Sequence, residues 1–308
     1  MDVFTTMITP FTKDGSVDYQ RAQEYVDWYF ESGLTGIFAV CQSSEIFYLS
    51  LQERIELNRT VYRRAKELRE KSGRSFTVVS SGHVSDTVEE QIRELRAIWE
   101  SGTDALILIT NRLANSEEND EVWIQNCQRI IEALPADVKL GLYECPYPYK
   151  RLVTPKILDY CLSTGKFYYM KDTCCDASLI AARVSQLAGS PFKLLNANCQ
   201  TLLQSMRDGA DGYCGIMCNF HPRLYAWLAE NFEKEPEKAD AVQAFLGTFG
   251  FTESGLPYPL TAKYHMSLCG LATENIARCK ASEQLTDYAK DCVRQMKIAS
   301  DLLERTLL

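Results

Sequence analysis

The sequence predicts a (β/α)8 TIM barrel followed by a C-terminal helical domain, and three observations predict it. A helix-stop, strand-start junction recurs at ESGLTGIFAV (31–40), ESGTDALILI (100–109), STGKFYYM (163–170) and RDGADGYCGI (207–216). In each, a glycine (Gly33, Gly102, Gly165, Gly209) is suited to the left-handed conformation that ends a helix, and a short apolar run follows. Amphipathic stretches alternate with these runs, which implies parallel strands joined by helices. Finally, the residues after the first apolar run read TPFTKDG, with no G-x-G-x-x-G. That counts against a doubly wound dinucleotide-binding sheet.

The opening run VFTTMIT gives a first strand near 3–9, and the junctions give strands near 36–40, 105–109, 167–170 and 212–216. Weaker strands fit between them at 76–81, 138–143 and 192–195, for eight in all. Helices are expected over Asp18–Ser32, Leu51–Lys71, Val84–Glu100 and Glu121–Leu134. Eight strand–helix units ending near residue 225 suit a closed barrel. Beyond it the chain reads as helices, with a charged break at EKEPEK (233–238) and a turn at ESGLPYP (253–259). The expected division is a catalytic barrel over residues 1–225 and a helical domain over 226–308.

The 308 residues are 46% hydrophobic and 24% charged, an ordinary globular composition. With 33 basic against 41 acidic residues the net charge is −8, and no Lys/Arg stripe appears, so a nucleic-acid partner is not expected. No apolar run approaches the ~18 residues that cross a bilayer. The opening residues lack a basic, then apolar, leader pattern. The twelve cysteines include no C-x-x-C pair and read as reduced thiols of a cytoplasmic protein.

Barrel active sites lie at the C-terminal ends of the strands. Those ends carry Cys41-Gln42-Ser43-Ser44-Glu45, Gly82-His83, Tyr143-Glu144-Cys145-Pro146, Lys171-Asp172-Thr173 and Cys214-Gly215-Ile216. Lys171 follows Phe167-Tyr168-Tyr169-Met170. An apolar setting disfavours the charged form of an amine and leaves a nucleophile able to form a Schiff base with a carbonyl. Asp172 is a candidate ion-pair partner for it, and the Tyr143 phenol is placed to move protons near an amine and a carbonyl.

A tyrosine-Glu-Cys-Pro strand end with a lysine ending the next strand resembles the dihydrodipicolinate synthase / N-acetylneuraminate lyase family of pyruvate-dependent class I aldolases. TTMITPFTKDGSVD (5–18), SSEIFYLSLQER (43–54), GADGYCGIMCNFHP (209–222) and GLPYPLTAKY (255–264) extend the resemblance over most of the chain. The resemblance implies that Lys171 forms the imine and that Tyr143 transfers protons. It implies that Gln42, Ser43 and Ser44 hold the 2-oxo acid carboxylate, with Cys214 beside the substrate. Pyruvate or a related 2-oxo acid is the implied substrate, in reversible aldol cleavage or condensation, with neither cofactor nor metal and as a homotetramer. A 2-oxo-3-deoxy sugar acid dehydratase and a non-catalytic ligand-binding homologue are the alternatives.

The chain departs from the family pattern at named places. Gln42 stands where the family has a proton-relaying hydroxyl, Ser44 stands for a glycine, and Pro148 stands where synthases carry an arginine for the second substrate. Thr110-Asn111-Arg112-Leu113 replaces a tyrosine that crosses to the neighbouring subunit. Cys41, Cys145, Cys174, Cys175, Cys214 and Cys218, with His83 and His221 nearby, lack the paired spacing of structural zinc and are read as packing residues. His83 is expected to be a hydrogen-bonded structural group, and Glu45 to satisfy backbone donors. Arg112 is left open between carboxylate binding and ion pairing. The run EEQIRELRAIWE (89–100) is read as a solvated helix face.

Overall fold

A computed structural model describes residues 1–307. Eight parallel strands close into a barrel in sequence order, β8 pairing with β1. The order is β1 (Asp2–Thr6), α1 (Tyr19–Glu31), β2 (Gly36–Ala39), α2 (Leu51–Ser72), β3 (Thr77–Ser80), α3 (Val88–Ser101), β4 (Ala105–Ile109) and α4 (Thr110–Leu113). It continues with α5 (Asp120–Ala133), β5 (Leu140–Tyr143), α6 (Pro155–Thr164), β6 (Phe167–Asp172), α7 (Ala177–Leu187), β7 (Lys193–Asn196), α8 (Leu202–Arg207) and β8 (Gly212–Gly215). Helices α9 (Pro222–Asn231), α10 (Pro236–Ser254), α11 (Leu260–Leu268) and α12 (Asp287–Leu307) complete the chain. No helix is long and apolar enough to cross a membrane among the described residues.

The expected helix stops hold: Gly33, Gly102, Gly165 and Gly209 all have positive φ, between 65° and 101°. Capping explains the helix starts. Ser50 and Glu53 close a reciprocal capping box on α2, and Asp18 and Thr87 cap α1 and α3. Helix α3 starts four residues later than expected because the Glu94 carboxylate takes the amides of Val84 and Ser85, at 2.8 and 3.1 Å, and holds them in a loop. The first strand stops at Thr6 and the sixth runs on through Lys171 and Asp172. The line between residues 225 and 226 falls inside α9. The breaks at 233–238 and 253–259 fall where α10 begins and ends.

The solvated-face reading of 89–100 needs correction. Gln91 and Glu94 are buried, Gln91 against His83 and Glu94 paired with Arg54 at 3.0 Å. Helix spacing marks which residues share a face; here two polar positions of that pattern turn inward because buried partners await them.

Strand alternation decides which side chains reach the barrel interior. Leu140, Leu142, Met170 and Leu194 pack outward, in one core cluster with Ile157, Ile180 and other helix residues. Tyr143 and Tyr169 belong to the interior cluster with Phe4, Phe38 and Ile107. Lys171 shares the parity of Tyr169, and β5–β6 register sets it directly opposite Tyr143.

Candidate active site

Lys171 and Tyr143 therefore meet at the barrel mouth by register. The Lys171 Nζ sits 4.4 Å from the centroid of the Tyr143 ring, and its side chain has no ion pair or hydrogen bond among the described residues. Only 8% of Lys171 is exposed. A buried lysine with no anion against it is a poor stability device, because charged groups leave water at a cost unless paired. It is well placed to meet a carbonyl.

Asp172 is not its partner, which corrects the expectation. One residue further along the strand, Asp172 points out of the barrel and pairs with Arg183 of α7. Arg183 also lies 2.6 Å from Glu144 and donates to the Val153 carbonyl. Glu144 in turn accepts from the amides of Val153 (2.7 Å) and Thr173 (2.9 Å). Burial, aided by the facing Asp172 carboxylate, pushes Glu144 above the usual carboxylate range, and the Arg183 guanidinium opposes the shift. This network ties the ends of β5 and β6 together directly beneath Tyr143 and Lys171.

The Tyr143 hydroxyl donates to Gln42 Oε1 at 3.2 Å, and its ring meets Phe38 edge-on at 5.4 Å. Burial raises its phenol well above the ordinary tyrosine value, so it is a protonated donor at rest. Gln42 and Ser43 lie in a short 3-10 turn, Gln42–Ser44, directly after the second strand. The Ser43 hydroxyl reaches Thr6 at 3.1 Å. Gln42, Ser43, Tyr143 and Lys171 all line one cavity of about 440 Å³, a ligand-sized space.

Two predicted binding residues do not line it. Ser44 turns its hydroxyl to the Met7 carbonyl and the Cys41 amide, and Cys214 is 2% exposed within the barrel core. Ser44 stands between the cavity residues Ser43 and Glu45 but turns away with the backbone, whereas Cys214 points into the barrel interior and is packed there without lining the cavity. Burial pushes the Cys214 thiol up to about 12, with the Lys171 charge acting against that shift. Cys41 and Cys145 are also buried, with thiols raised for the same first reason.

His83 is structural: Nε2 accepts from the Ile109 amide at 2.8 Å, Nδ1 faces Gln91, and burial lowers its value to about 4. Arg112 pairs with Asp86 at 2.9 Å and stays outside the cavity. Leu113 is buried against its own chain rather than projecting from it.

Glu45 does satisfy backbone donors, but 233 residues downstream. Its Oε2 accepts from the amides of Arg278 (2.6 Å) and Cys279 (2.9 Å), and its Oε1 pairs with the fully buried Lys263 at 2.9 Å. Arg278 adds two bonds to Glu53. The C-terminal region is thereby anchored over the mouth. It contributes Tyr258, Pro259, Cys279 and Lys280 to the cavity, and the barrel loops add Phe47, Tyr48, Pro146, Tyr147, Thr173 and Ile216. Sequence reasoning missed all of these except Pro146, Thr173 and Ile216, which it placed at strand ends. Tyr258 lies within GLPYPLTAKY, yet nothing in local spacing reveals that this segment folds back over Ser43. Its hydroxyl accepts from Asn219 at 3.2 Å and lies in hydrogen-bonding reach of Ser43 and Thr6.

A lysine and a tyrosine paired on adjacent strands of such a mouth prompt comparison with known proteins. The dihydrodipicolinate synthetase family model matches residues 1–298. The chain belongs to that family. It is a family of pyruvate-dependent, Schiff-base-forming lyases of the class I aldolase type. Among curated relatives, the 4-hydroxy-tetrahydrodipicolinate synthase of Psychrobacter arcticus is 25% identical over 278 residues, covering 88% of this chain and 86% of the relative. That of Anaplasma marginale is 24% identical, with 98% and 96% covered. Among solved structures, DHDPS from Cyanidioschyzon merolae with lysine bound superposes with a TM-score of 0.85 at 21% identity, covering 98% of each chain. YagE, a prophage protein of this family from E. coli K12 in complex with pyruvate, gives 0.84 at 18% identity, with 100% and 99% covered. These likenesses establish the barrel with its C-terminal helices.

Proposed function

We propose that this family member is a lyase that binds pyruvate, or a related 2-oxo acid, as an imine on Lys171 and runs a reversible aldol reaction through it. The observation that carries the reading is the unpaired, nearly buried Lys171 amine against the Tyr143 ring in a ligand-sized cavity.

The Lys171 amine adds to C2 of the 2-oxo acid. Tyr143 donates a proton to the resulting hydroxyl, water leaves, and a protonated imine remains. Loss of a C3 proton, or of the C3 substituent in the cleavage direction, moves an electron pair into the imine and gives an enamine. In condensation the enamine C3 attacks an aldehyde carbon, the aldehyde oxygen takes up a proton, and water releases the product and the free amine. The Ser43 hydroxyl and the leading amides of the 42–44 turn, which lack intrahelical acceptors, are assigned to the carboxylate.

Gln42 cannot pass a proton on as a hydroxyl does, and its carbonyl instead fixes the direction of the Tyr143 hydroxyl. The proton route then runs through hydroxyls this cavity does have, those of Tyr258 and Ser43, with Thr6 behind Ser43. The test is hydrogen–deuterium exchange into the pyruvate methyl group in D2O, followed by proton NMR. Enzyme-dependent exchange that disappears in Lys171→Ala is the expected result. No exchange above buffer, with pyruvate or with longer 2-oxo acids, would overturn the reading.

A further inference from the structure

We infer that the second reactant, the aldehyde released or consumed at this site, is an aryl aldehyde bearing an anionic group at the far end of its ring. This deepens the reading above and rests on it.

Pyruvate occupies the inner end, at Lys171 and Ser43, and leaves most of the ~440 Å³ cavity for its partner. The outer walls are aromatic and flat. Phe47 and Tyr147 pack edge-on at 5.0 Å between centroids with planes 65° apart, and Pro146 and Pro259 add broad apolar surfaces. Tyr147 is 49% exposed. A half-exposed aromatic ring at the rim of a cavity leaves part of its surface free to pack on a flat guest.

Two of the polar groups there are already spent on the protein itself. The Glu45 carboxylate is spoken for by Lys263 and two backbone amides. Thr173 spends its hydroxyl on the Glu144 carbonyl at 2.7 Å.

Charge supplies the second part. With Glu45 neutralised by Lys263, the cavity holds two cations, Lys171 inside and Lys280 at the rim. Lys280 has no anionic partner among the described residues. The arginine position of the synthases is the exposed Pro148, which has no charge to offer a distal anion; Lys280, from the C-terminal region, lines the cavity. The balanced reaction is pyruvate plus the aldehyde giving a 4-aryl-4-hydroxy-2-oxobutanoate, with the new bond between pyruvate C3 and the aldehyde carbon.

The experiment measures kcat/KM for condensation of pyruvate with benzaldehyde, 4-carboxybenzaldehyde, hexanal and glyceraldehyde, using the full chain and Lys280→Gln. Methyl exchange on pyruvate alone is recorded in parallel. The expected order is 4-carboxybenzaldehyde over benzaldehyde by about tenfold, the scale of one charge-assisted hydrogen bond, with hexanal and glyceraldehyde below both. In Lys280→Gln the advantage of the carboxylate should fall to about unity. A preference for glyceraldehyde or hexanal, with exchange intact, overturns the inference and leaves the imine reading standing. An unchanged carboxylate advantage in Lys280→Gln overturns the role of the charge. Loss of methyl exchange itself fails the imine reading, and the inference falls with it.

Discussion

The β5–β6 corner and the junction of α9 with α10 and α11 both bury titratable side chains, on opposite terms. At the corner, Arg183, Glu144 and Asp172 are at most 2% exposed, and the two carboxylates share one guanidinium and the backbone amides of Val153, Thr173 and Cys174. At the junction, His221, His265 and Glu253 are at most 1% exposed, but neither ring nitrogen of His221, nor His265 Nε2, nor Glu253 Oε2 has a partner among the described residues. The first cluster is held by ion pairs and hydrogen bonds and fixes two strand ends. The second stays neutral: burial lowers His221 to about 3 and raises Glu253 to about 8. Where Lys171 and Tyr143 keep their register, the buried polar groups are paired at every atom but Arg183 Nε; where helices only need to pack, more are left unpaired.

Breaking the paired cluster has the largest expected effect. Arg183→Met leaves two carboxylates buried against each other and is expected to cost about 3–5 kcal/mol in chemical denaturation, with methyl exchange lost in parallel. Tyr143→Phe separates chemistry from scaffold, since the ring keeps its contacts with Phe38 and the Lys171 amine. It should slow methyl exchange by roughly a hundredfold, as loss of one acid–base group does, with an unchanged denaturation midpoint.

The unsaturated cluster predicts the reverse sign. Glu253 has a folded value near 8 against an ordinary 4.5, so the folded state holds its proton where the unfolded chain has released it. Its contribution is fully present below about pH 4.5 and fades as pH rises through 8. Glu253→Gln should therefore stabilise the protein by about 1–2 kcal/mol at pH 8 and change little at pH 4.5, read from melting temperatures across that range. His221 works at the other end. Its folded value near 3 lies below the ordinary 6.5, so stability is lost as pH falls from 6.5 toward 3. His221→Phe, which keeps a flat ring stacked on Tyr225, should gain about 1 kcal/mol near pH 5 and nothing at pH 8.

The same contrast marks what was legible in the sequence. Glycine stops and apolar runs exposed the barrel because helix termination and strand burial are local requirements. Lys171 and Tyr143 stood out because barrel chemistry collects at strand ends. Asp172 misled because adjacency in sequence means opposite faces in a strand, so the residue next to a catalytic lysine is the one least able to touch it. Lys280, Tyr258 and the downstream grip of Glu45 were hidden for another reason: they meet the mouth through contacts over two hundred residues apart, set by how the C-terminal region docks.

Borohydride reduction in the presence of pyruvate, followed by intact mass and peptide mapping, tests the imine on Lys171 most directly. A reduced pyruvyl adduct on the peptide containing Lys171, absent from Lys171→Ala, is the predicted result. A protein that stays unmodified with pyruvate and with longer 2-oxo acids, or an adduct on a different lysine, would contradict it.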